Sequence, residues 1–517
     1  MADGGGAGRI KTVAAMMAIT LAGKTLGLFR DSMIGSHYGT ASVEGAAFNV
    51  ALMLPRNFFD VLFASAITAS FIPVFNGMLV KEGREKAFAL SHRFVSLILV
   101  ATTAATALLV LAARPVMTLY AGSLAPEIIP LATELVRYMF PIIILSGLAF
   151  SLTGVLQSLG QFNIPAAMGL VSNGVILIYF IFFMERAGVR GLTAAILLGW
   201  AAQFLIQVPF LLKNKYGFRF RPPKPRELIG DEHFRQIGKL TLPVLVVAWV
   251  MPVNQIANAN AALRDVTGIQ AQNAVILANQ LYMVITGVIV LSISNFIFPR
   301  LSRQSAENDG RGFGATLNQT VRAVFFLLAP VSVALMCLSE PLVRLYLERG
   351  NFDAQSTALT SRALFYFAIG IPGYGLTAAL SHGFYAAGKG RAPLLIGICA
   401  MLCNFILGLV LVRFLGTGGP ALASSVSVTV SAAAMLVILN GYNNEILDKK
   451  LLSDVMKMVL AGLVMAPVVL ASKGFILNAL ADGLPERFAA VVLPALLGAA
   501  AYILIIYKDL KKCVKSL

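Results

Sequence analysis

LATELVRYMFPIIILSGLAFSLTGVLQSLGQFNIP, residues 131–165, is answered later in the chain by LTSRALFYFAIGIPGYGLTAALSHGFYAAGKGRAP, residues 359–393. Tyr138 matches Tyr366, Gly147 matches Gly375, Leu152 matches Leu380, Gly160 matches Gly388 and Pro165 matches Pro393, at a constant offset of 228. Upstream, with a small shift, Arg114-Pro115-Val116-Met117-Thr118-Leu119-Tyr120 pairs with Glu340-Pro341-Leu342-Val343-Arg344-Leu345-Tyr346, and Phe71-Ile72-Pro73 with Phe296-Ile297-Phe298-Pro299. Two homologous halves are expected, an internal symmetry on which many transporters are built.

Composition says where those halves reside. A chain of 517 residues that is 58% hydrophobic and 13% charged, with a mean hydropathy of +0.80, has too little polar surface for a soluble globule. Apolar runs of about 20 residues, enough to cross a hydrocarbon core as a helix, recur throughout. They fall near 13–36, 45–79, 90–112, 129–157, 165–184, 191–212, 238–262, 270–298, 319–338, 360–386, 393–413, 420–440, 455–473 and 488–507. The expected fold is therefore an all-α polytopic membrane protein of about fourteen spans: two six-helix lobes plus two carboxy-terminal helices. The second run is too long for one straight crossing and contains Pro55, so it should bend there or extend beyond the membrane. The first run lacks a clear cleavage site and should stay in the membrane.

Loop charges give an orientation. With a cytoplasmic amino terminus, the inward loops hold Lys81 to Arg93, Lys213 to Lys239, Arg300 to Arg311, Lys389 with Arg391, Lys449 to Lys457, and the terminal Lys508 to Lys515. The outward loops hold chiefly Arg186, Arg190, Arg264, Arg344, Arg349, Lys473 and Arg487. This alternation follows the positive-inside rule, so both termini are expected in the cytoplasm. It also explains the formal charge of +17 without nucleic acid, through topology and attraction to anionic lipid. The lobes are expected to be 1–212 and 238–440, joined by a basic linker at 213–237 and followed by the extra helices and tail at 441–517. An offset of six helices gives both lobes the same orientation, with a cavity expected between them.

Catalytic and metal chemistry find little support. The four cysteines form no disulfide framework and read as small buried hydrophobes; the four histidines lack ligand spacing. Without a Walker loop, nucleophile elbow or dinucleotide turn, transport would draw on membrane potential, a monovalent ion or the substrate's own gradient, with no cofactor. A membrane-embedded glycosyltransferase is the alternative from another class. Its candidate outer acids Glu127, Asp265 and Asp353 form no clear constellation.

Ionisable residues inside spans carry most of the functional information, because they are costly in lipid and face protein or water. The first span holds Lys24, Arg30 and Asp31; the second holds Glu44 at its outer start, then Arg56 and Asp60. The corresponding spans of the second half offer Asn254, Asn258, Asn260, Asn279 and Gln280. On a helix, Lys24 and Asp31 share a face, and Arg56 and Asp60 can pair along another. Two readings stand: structural ion pairs that lock helices together, or an anion site in which Lys24, Arg30 and Arg56 face the cavity and the acids hold them. The second is favoured, since burying so many charges for packing often stabilises less than apolar residues would. Arginine suits phosphate through its planar fork of donors.

The run Gly27-Leu28-Phe29-Arg30-Asp31, the loop with Gly39 and Glu44, Leu54-Pro55, and Phe71-Ile72-Pro73 resemble the amino-terminal signature of the MurJ (MviN) lipid II flippase family. That family sits within the multidrug/oligosaccharidyl-lipid/polysaccharide (MOP) exporter superfamily. The resemblance implies alternating access for undecaprenyl-diphosphate carrying a disaccharide-pentapeptide, an anionic lipid-linked glycan whose diphosphate would meet the cations. It places Arg30 at the family's first-span arginine, Lys24 at a second and Glu44 at an acid. Arg56 lies one turn before the usual third arginine, where this chain has Phe59-Asp60. Gln280 and Met283 stand where an arginine and a glutamate are usual, with Asn279 and Gln280 as polar support. Asn404 fits a sodium-site asparagine, although Gly408 replaces the following acid. A flippase for another polyprenyl-linked glycan and a cation-coupled drug exporter are the alternatives within transport; a monomer is favoured, with membrane lipids as its other partners. The resemblance also implies an apolar track for the lipid tail beside the last two spans, whose small residues Ala461, Gly462, Ala466, Gly498, Ala499 and Ala500 fit either a groove or close packing.

The topology is checked by cysteine labelling from outside the cell. Reagent should reach loops around Arg186 and Lys473 and miss those around Arg84 and Lys224; the reverse pattern overturns the orientation.

Overall fold

A computed structural model describes residues 6–56, 63, 66–121, 128–307, 309–442, 446–481 and 483–514. Among these residues the chain is helical and contains no strand. Among the described residues nine helices are long and apolar enough to cross a hydrocarbon core, or ten when the bent pair Ala354–Ile369 and Ile371–Ala386 counts as one. Helices also occupy further stretches where spans are expected, at Gly6–Tyr38, Val43–Met53, Ile72–Lys81, Glu232–Ala262 and Ile269–Ala306. The chain divides into two compact units: Met1–Tyr38 with Ser42–Pro252, and Gly39–Ala41 with Val253–Leu517.

In the first unit, α1 (Gly6–Tyr38) is followed by α2 (Val43–Met53), whose amino terminus is capped by Ser42 Oγ accepting from the Gly45 amide. Regular α-helix ends at Met53, and Leu54–Arg56 and Ile67–Phe71 adopt wider π-type turns. At Leu54–Arg56 Pro55 supplies the cause, having no amide proton for the i→i−4 ladder. The chain then forms α3 (Ile72–Lys81), α4 (Arg84–Leu111), α5 (Ala113–Ala121), α6 (Ile128–Met139), α7 (Ile142–Ser158), α8 (Asn163–Phe182), α9 (Met184–Leu205) and α10 (Val208–Lys213).

The basic stretch after α10 is strapped to α4. Tyr216 is buried with its hydroxyl 2.8 Å from Ser91 Oγ, and the Arg221 amide donates to Ser96 Oγ at 2.8 Å. Burial pushes the Tyr216 phenol up to about 12, partly offset by the Ser91 hydrogen bond. The short α11 (Pro225–Gly230) follows, and Arg93 closes the strap by pairing with Asp231 at 3.0 Å. Next comes α12 (Glu232–Ala262), which contains the unit boundary at Pro252.

The second unit continues through α13 (Ile269–Ala306), α14 (Gly310–Tyr346), α15 (Ala354–Ile369), α16 (Ile371–Ala386), α17 (Arg391–Leu415), α18 (Gly418–Tyr442), α19 (Lys449–Ala479) and α20 (Leu484–Val514). Backbone conformation repeats along with sequence. Gly160 and Gly388 end equivalent helices at φ +79° and +70°, and Gly188 and Gly416, again 228 apart, adopt +52° and +54°. These left-handed turns are open to glycine at little steric cost.

The last two helices are tied to α14 at both ends. Near one end Arg322 pairs with Asp454 and, at 3.5 Å, with Asp448, while Asn318 accepts from Arg322 Nε at 2.9 Å and donates to the Ile446 carbonyl at 2.8 Å. At the other end Glu348 lies 3.4 Å from Arg344 and 3.6 Å from Arg487. Between them Val333 and Leu338 pack with Met458, Ala461, Met465, Val469, Tyr502 and Ile506. Ala461 is buried in this seam, and a side chain at Gly498 would meet Val469. These two small residues thus serve close helix packing.

Gly39–Ala41 is held within the second unit by Asn273 Nδ2 donating to the Thr40 carbonyl at 2.8 Å and by Thr40 Oγ1, 2.7 Å from Ser356 Oγ. Gly39 sits at φ +61°, and an added Cβ would lie 2.3 Å from the Asn351 carbonyl oxygen. Gly39→Ala should therefore lower stability by about 2 kcal/mol or more, from the left-handed penalty and overpacking combined. Thermal unfolding in detergent is the measurement, and an unchanged melting temperature would contradict this account.

Candidate functional site

The first-span charges are organised by a close crossing of α1 and α8. Gly23 and Gly27, one turn apart, remove side chains where α8 approaches: a Cβ at Gly23 would lie 3.1 Å from the Leu170 amide nitrogen, and one at Gly27 3.1 Å from Asn173 Nδ2. Asn173 is 9% exposed and uses both ends of its amide. Its Nδ2 donates to the Gly23 carbonyl at 2.9 Å, and its Oδ1 accepts from Arg30 Nη1 at 2.8 Å. Arg30 Nε and Nη2 donate to Asp31 Oδ1 at 2.8 and 2.6 Å. Arg30 and Asp31 are 13% and 15% exposed, so water reaches the pair only partly. The fork is held on two sides in a low-dielectric setting, an arrangement that preorganises a cation for an anionic group.

Other expected residues have different surroundings. Lys24 is half-buried on α1 and makes no hydrogen bond or ion pair with the described residues, so Asp31 serves Arg30 rather than Lys24. Glu44 is exposed in the first turn of α2, where the helix dipole favours an acid. Arg56 is half-buried in the π-type turn after α2. Asp60 lies outside the described residues. Asn173 was missed by sequence reasoning; the available signal was a lone carboxamide in an apolar span, opposite two glycines at helical spacing.

In the second unit, Asn279 and Gln280 are half-buried on α13. Asn404 on α17 is 1% exposed and meets α12: its Nδ2 donates to Asn258 Oδ1 at 2.9 Å and to Asn254 Oδ1 at 3.1 Å. Its own Oδ1 is buried with no hydrogen-bond partner among the described residues. An orphaned acceptor of this kind is what a monovalent cation or a water satisfies. With Gly408 next along the helix and facing Ala261, the three-amide cluster brings acceptor oxygens but no carboxylate of its own. No group of three or more His, Cys, Asp or Glu suited to a metal occurs among the described residues.

The second unit also contains an apolar cleft of about 480 Å³. Val321, Phe325, Val333 and Met336 of α14 form one wall, and Leu451, Val455, Val459 and Leu463 of α19 another, with contributions from α16 and α18. Of the small residues expected to shape a groove, none lines this cleft; longer aliphatic side chains of α19 do.

A helical bundle of this order is the fold of MOP superfamily transporters. The solved structure titled lipid II flippase MurJ, inward closed conformation, superposes with a TM-score of 0.76 at 23% identity, covering 96% of this chain and 99% of that one. An inward-facing multidrug resistance MATE family transporter of the MOP superfamily gives a TM-score of 0.72 at 15% identity, covering 84% of this chain and 98% of that one. The sequence profile described as lipid II flippase MurJ matches residues 36–484. The chain belongs to the MurJ lipid II flippase family. Relatives include the probable lipid II flippase MurJ of Rhizobium meliloti (strain 1021), 25% identical over 95% of this chain and 92% of its own length. That of Vibrio cholerae serotype O1 is 27% identical over 97% of both.

Asn173→Ala should leave Arg30 Nη1 without its acceptor and lower stability by about 1.5–3 kcal/mol, the range for a hydrogen bond to a charged group. Thermal melts of Asn173→Ala beside Asn173→Asp provide the check. The aspartate keeps an acceptor and should recover part of the loss; equal melting temperatures for all three proteins would remove Asn173 from the network.

Proposed function

We propose that this protein translocates lipid II, the undecaprenyl-diphosphate-linked peptidoglycan precursor, across the bacterial inner membrane by alternating access, with both termini in the cytoplasm. The observation that carries the reading is the Arg30–Asp31–Asn173 constellation, lodged in a span of a chain that belongs to the MurJ family. Asp31 engages Nε and Nη2, and Asn173 engages Nη1, so the guanidinium is oriented before substrate arrives. A diphosphate would then exploit the remaining donor capacity of a fork whose position is already fixed. Lys24 supplies a second, more mobile cation, and Arg56 a third. Asp31, Glu44 and Asp60 limit the field, so that the anion can leave as well as enter.

The apolar cleft along α14 and α19 supports a path for the isoprenoid tail, which a polar cavity would expel. Energy coupling is assigned to membrane potential or a monovalent ion. An inside-negative potential drives an anion outward by about 2.3 kcal/mol per charge per 100 mV. The orphaned Asn404 oxygen is the acceptor that favours an ion contribution.

The first test depletes a bacterium of its own lipid II flippase and supplies this gene in trans; rescue of growth and shape is expected. Failure despite good membrane expression would favour another polyprenyl-linked glycan or a drug cation as cargo, and polymerised product in a purified assay would favour the glycosyltransferase. The second test concerns Arg30. Arg30→Ala should abolish transport and diphospholipid binding, while Arg30→Lys should recover only part, since a point charge cannot replace the fork. Normal diphospholipid binding with a marked fall in melting temperature would make Arg30 a packing residue.

A further inference from the structure

The strap between α10 and α11 carries charge that its fastenings to α4 do not use. From Lys213 to Arg226 it holds six cations and no acid, and all six cations are exposed. The fastenings run through other groups: the Asn214 carbonyl accepts from Arg84 Nη2 at 2.6 Å, the Tyr216 hydroxyl meets Ser91, and the Arg221 amide meets Ser96. The guanidiniums of Arg219 and Arg221 make no hydrogen bond or ion pair with the described residues. Neighbouring acids are engaged elsewhere. Glu227 accepts from the Lys224 amide at 3.2 Å, Asp231 pairs with Arg93, and Glu82 lies 3.5 Å from Lys86 and 3.2 Å from His233. Glu85 and Glu232 occupy the first turns of α4 and α12, where the helix dipole favours an acid.

The strap climbs α4 toward the bilayer. Residue 216 is fastened beside residue 91 and residue 221 beside residue 96, about 7.5 Å further along the helix axis. The apolar run expected to enter the membrane begins near residue 90, so the Arg221 backbone lies about 9 Å past that point, at the depth of head groups and first acyl carbons. The covered face of α4 is the one that goes on to meet lipid. His92 lies beneath the strap with Ser96, its ring centroid 5.0 Å from Tyr216 and 6.2 Å from Phe218. At steps of three and four residues the same face continues to Val100, Ala104, Leu108 and Leu111, all exposed and apolar. Above this face stand Phe218 and Phe220, 44% and 59% exposed, interleaved with Arg219 and Arg221. Exposed rings alternating with cations at this depth suit a bilayer interface, where rings enter the upper acyl region and cations remain among phosphates.

We infer that this strap is a docking site for an anionic phospholipid of the cytoplasmic leaflet, with Arg219 and Arg221 receiving the phosphate and Phe218 and Phe220 lying among the acyl chains. The surplus of cations selects a head group of net negative charge over a zwitterionic one, and the rings select a lipid over a free anion. The site is separate from Arg30 and independent of the cargo. Its lipid holds the linker between the two halves, and with it the start of α12, at the membrane surface.

The test uses the full chain in phosphatidylcholine nanodiscs with Phe220 replaced by p-benzoylphenylalanine. The probe is phosphatidylglycerol or phosphatidylcholine, labelled in the acyl chain and present at equal mole fraction. Illumination should give about tenfold more adduct with phosphatidylglycerol, and Arg219→Gln combined with Arg221→Gln should bring that adduct down to the phosphatidylcholine level. The double variant should keep its melting temperature, since Arg221 is fastened through its backbone amide, which glutamine retains. Equal yields from the two lipids, or no lipid adduct at residue 220, overturns the inference. Displacement of phosphatidylglycerol by inorganic phosphate or by a polyglutamate peptide assigns the surface to a free anion or an acidic protein and overturns it as well. Because the adduct is read without translocation, failure of genetic rescue and failure of this site are separate results.

Discussion

Arg30 cannot sit in a bilayer protein without an answer to its charge, and the way that answer is built organises the first unit. A guanidinium removed from water needs acceptors on several sides. Asp31 provides one oxygen for two donors, and Asn173 provides another for a third. Asn173 can reach only because Gly23 and Gly27 let α8 close on α1, and its amide is fixed in turn by the Gly23 carbonyl. Helix contact, small residues and charge are thus one device. What keeps the cation tolerable in the resting protein also fixes the orientation of its fork.

The second unit solves a different problem. It carries amides instead of charges in the corresponding spans, and its ion pairs concentrate at the two ends of α14, where Arg322 meets Asp448 and Asp454 and where Arg344 and Arg487 meet Glu348. Pairs at helix ends lie nearer water and cost less desolvation than pairs at mid-depth. They pin α19 and α20 to α14 while leaving the α14–α19 interval apolar. The cleft lies beside the packed seam of Val333, Met458, Met465 and Val469, along the interval between the end clamps.

The duplication imposes local geometry as well as topology. Gly160 and Gly388, and Gly188 and Gly416, occupy the same left-handed conformation at the same place in each half, so each copy retains the turn that redirects its chain between helices. In the first two spans of each half, charge lies in one copy and neutral amides in the other.

The sequence by itself determined the membrane-embedded helical class, the twofold internal repeat, the break in the second span and the cationic character of the first. Hydropathy, periodicity and Pro55 act locally, and α2 ends at Met53, just before that proline. Only tertiary structure decided which groups meet. Neighbours in sequence do not face one another on a helix, yet the long Arg30 side chain folds back to Asp31, while Lys24, on the same face as Asp31, stays apart. Asn173 lies 143 residues from Arg30, and Asn404 146 from Asn258. No pattern within a single segment encodes such meetings, because they depend on how closely two helix surfaces approach. The cleft was equally hidden: Ala461 and Gly498, which could have opened a groove, pack instead, and the space lies between longer aliphatic side chains of α14 and α19.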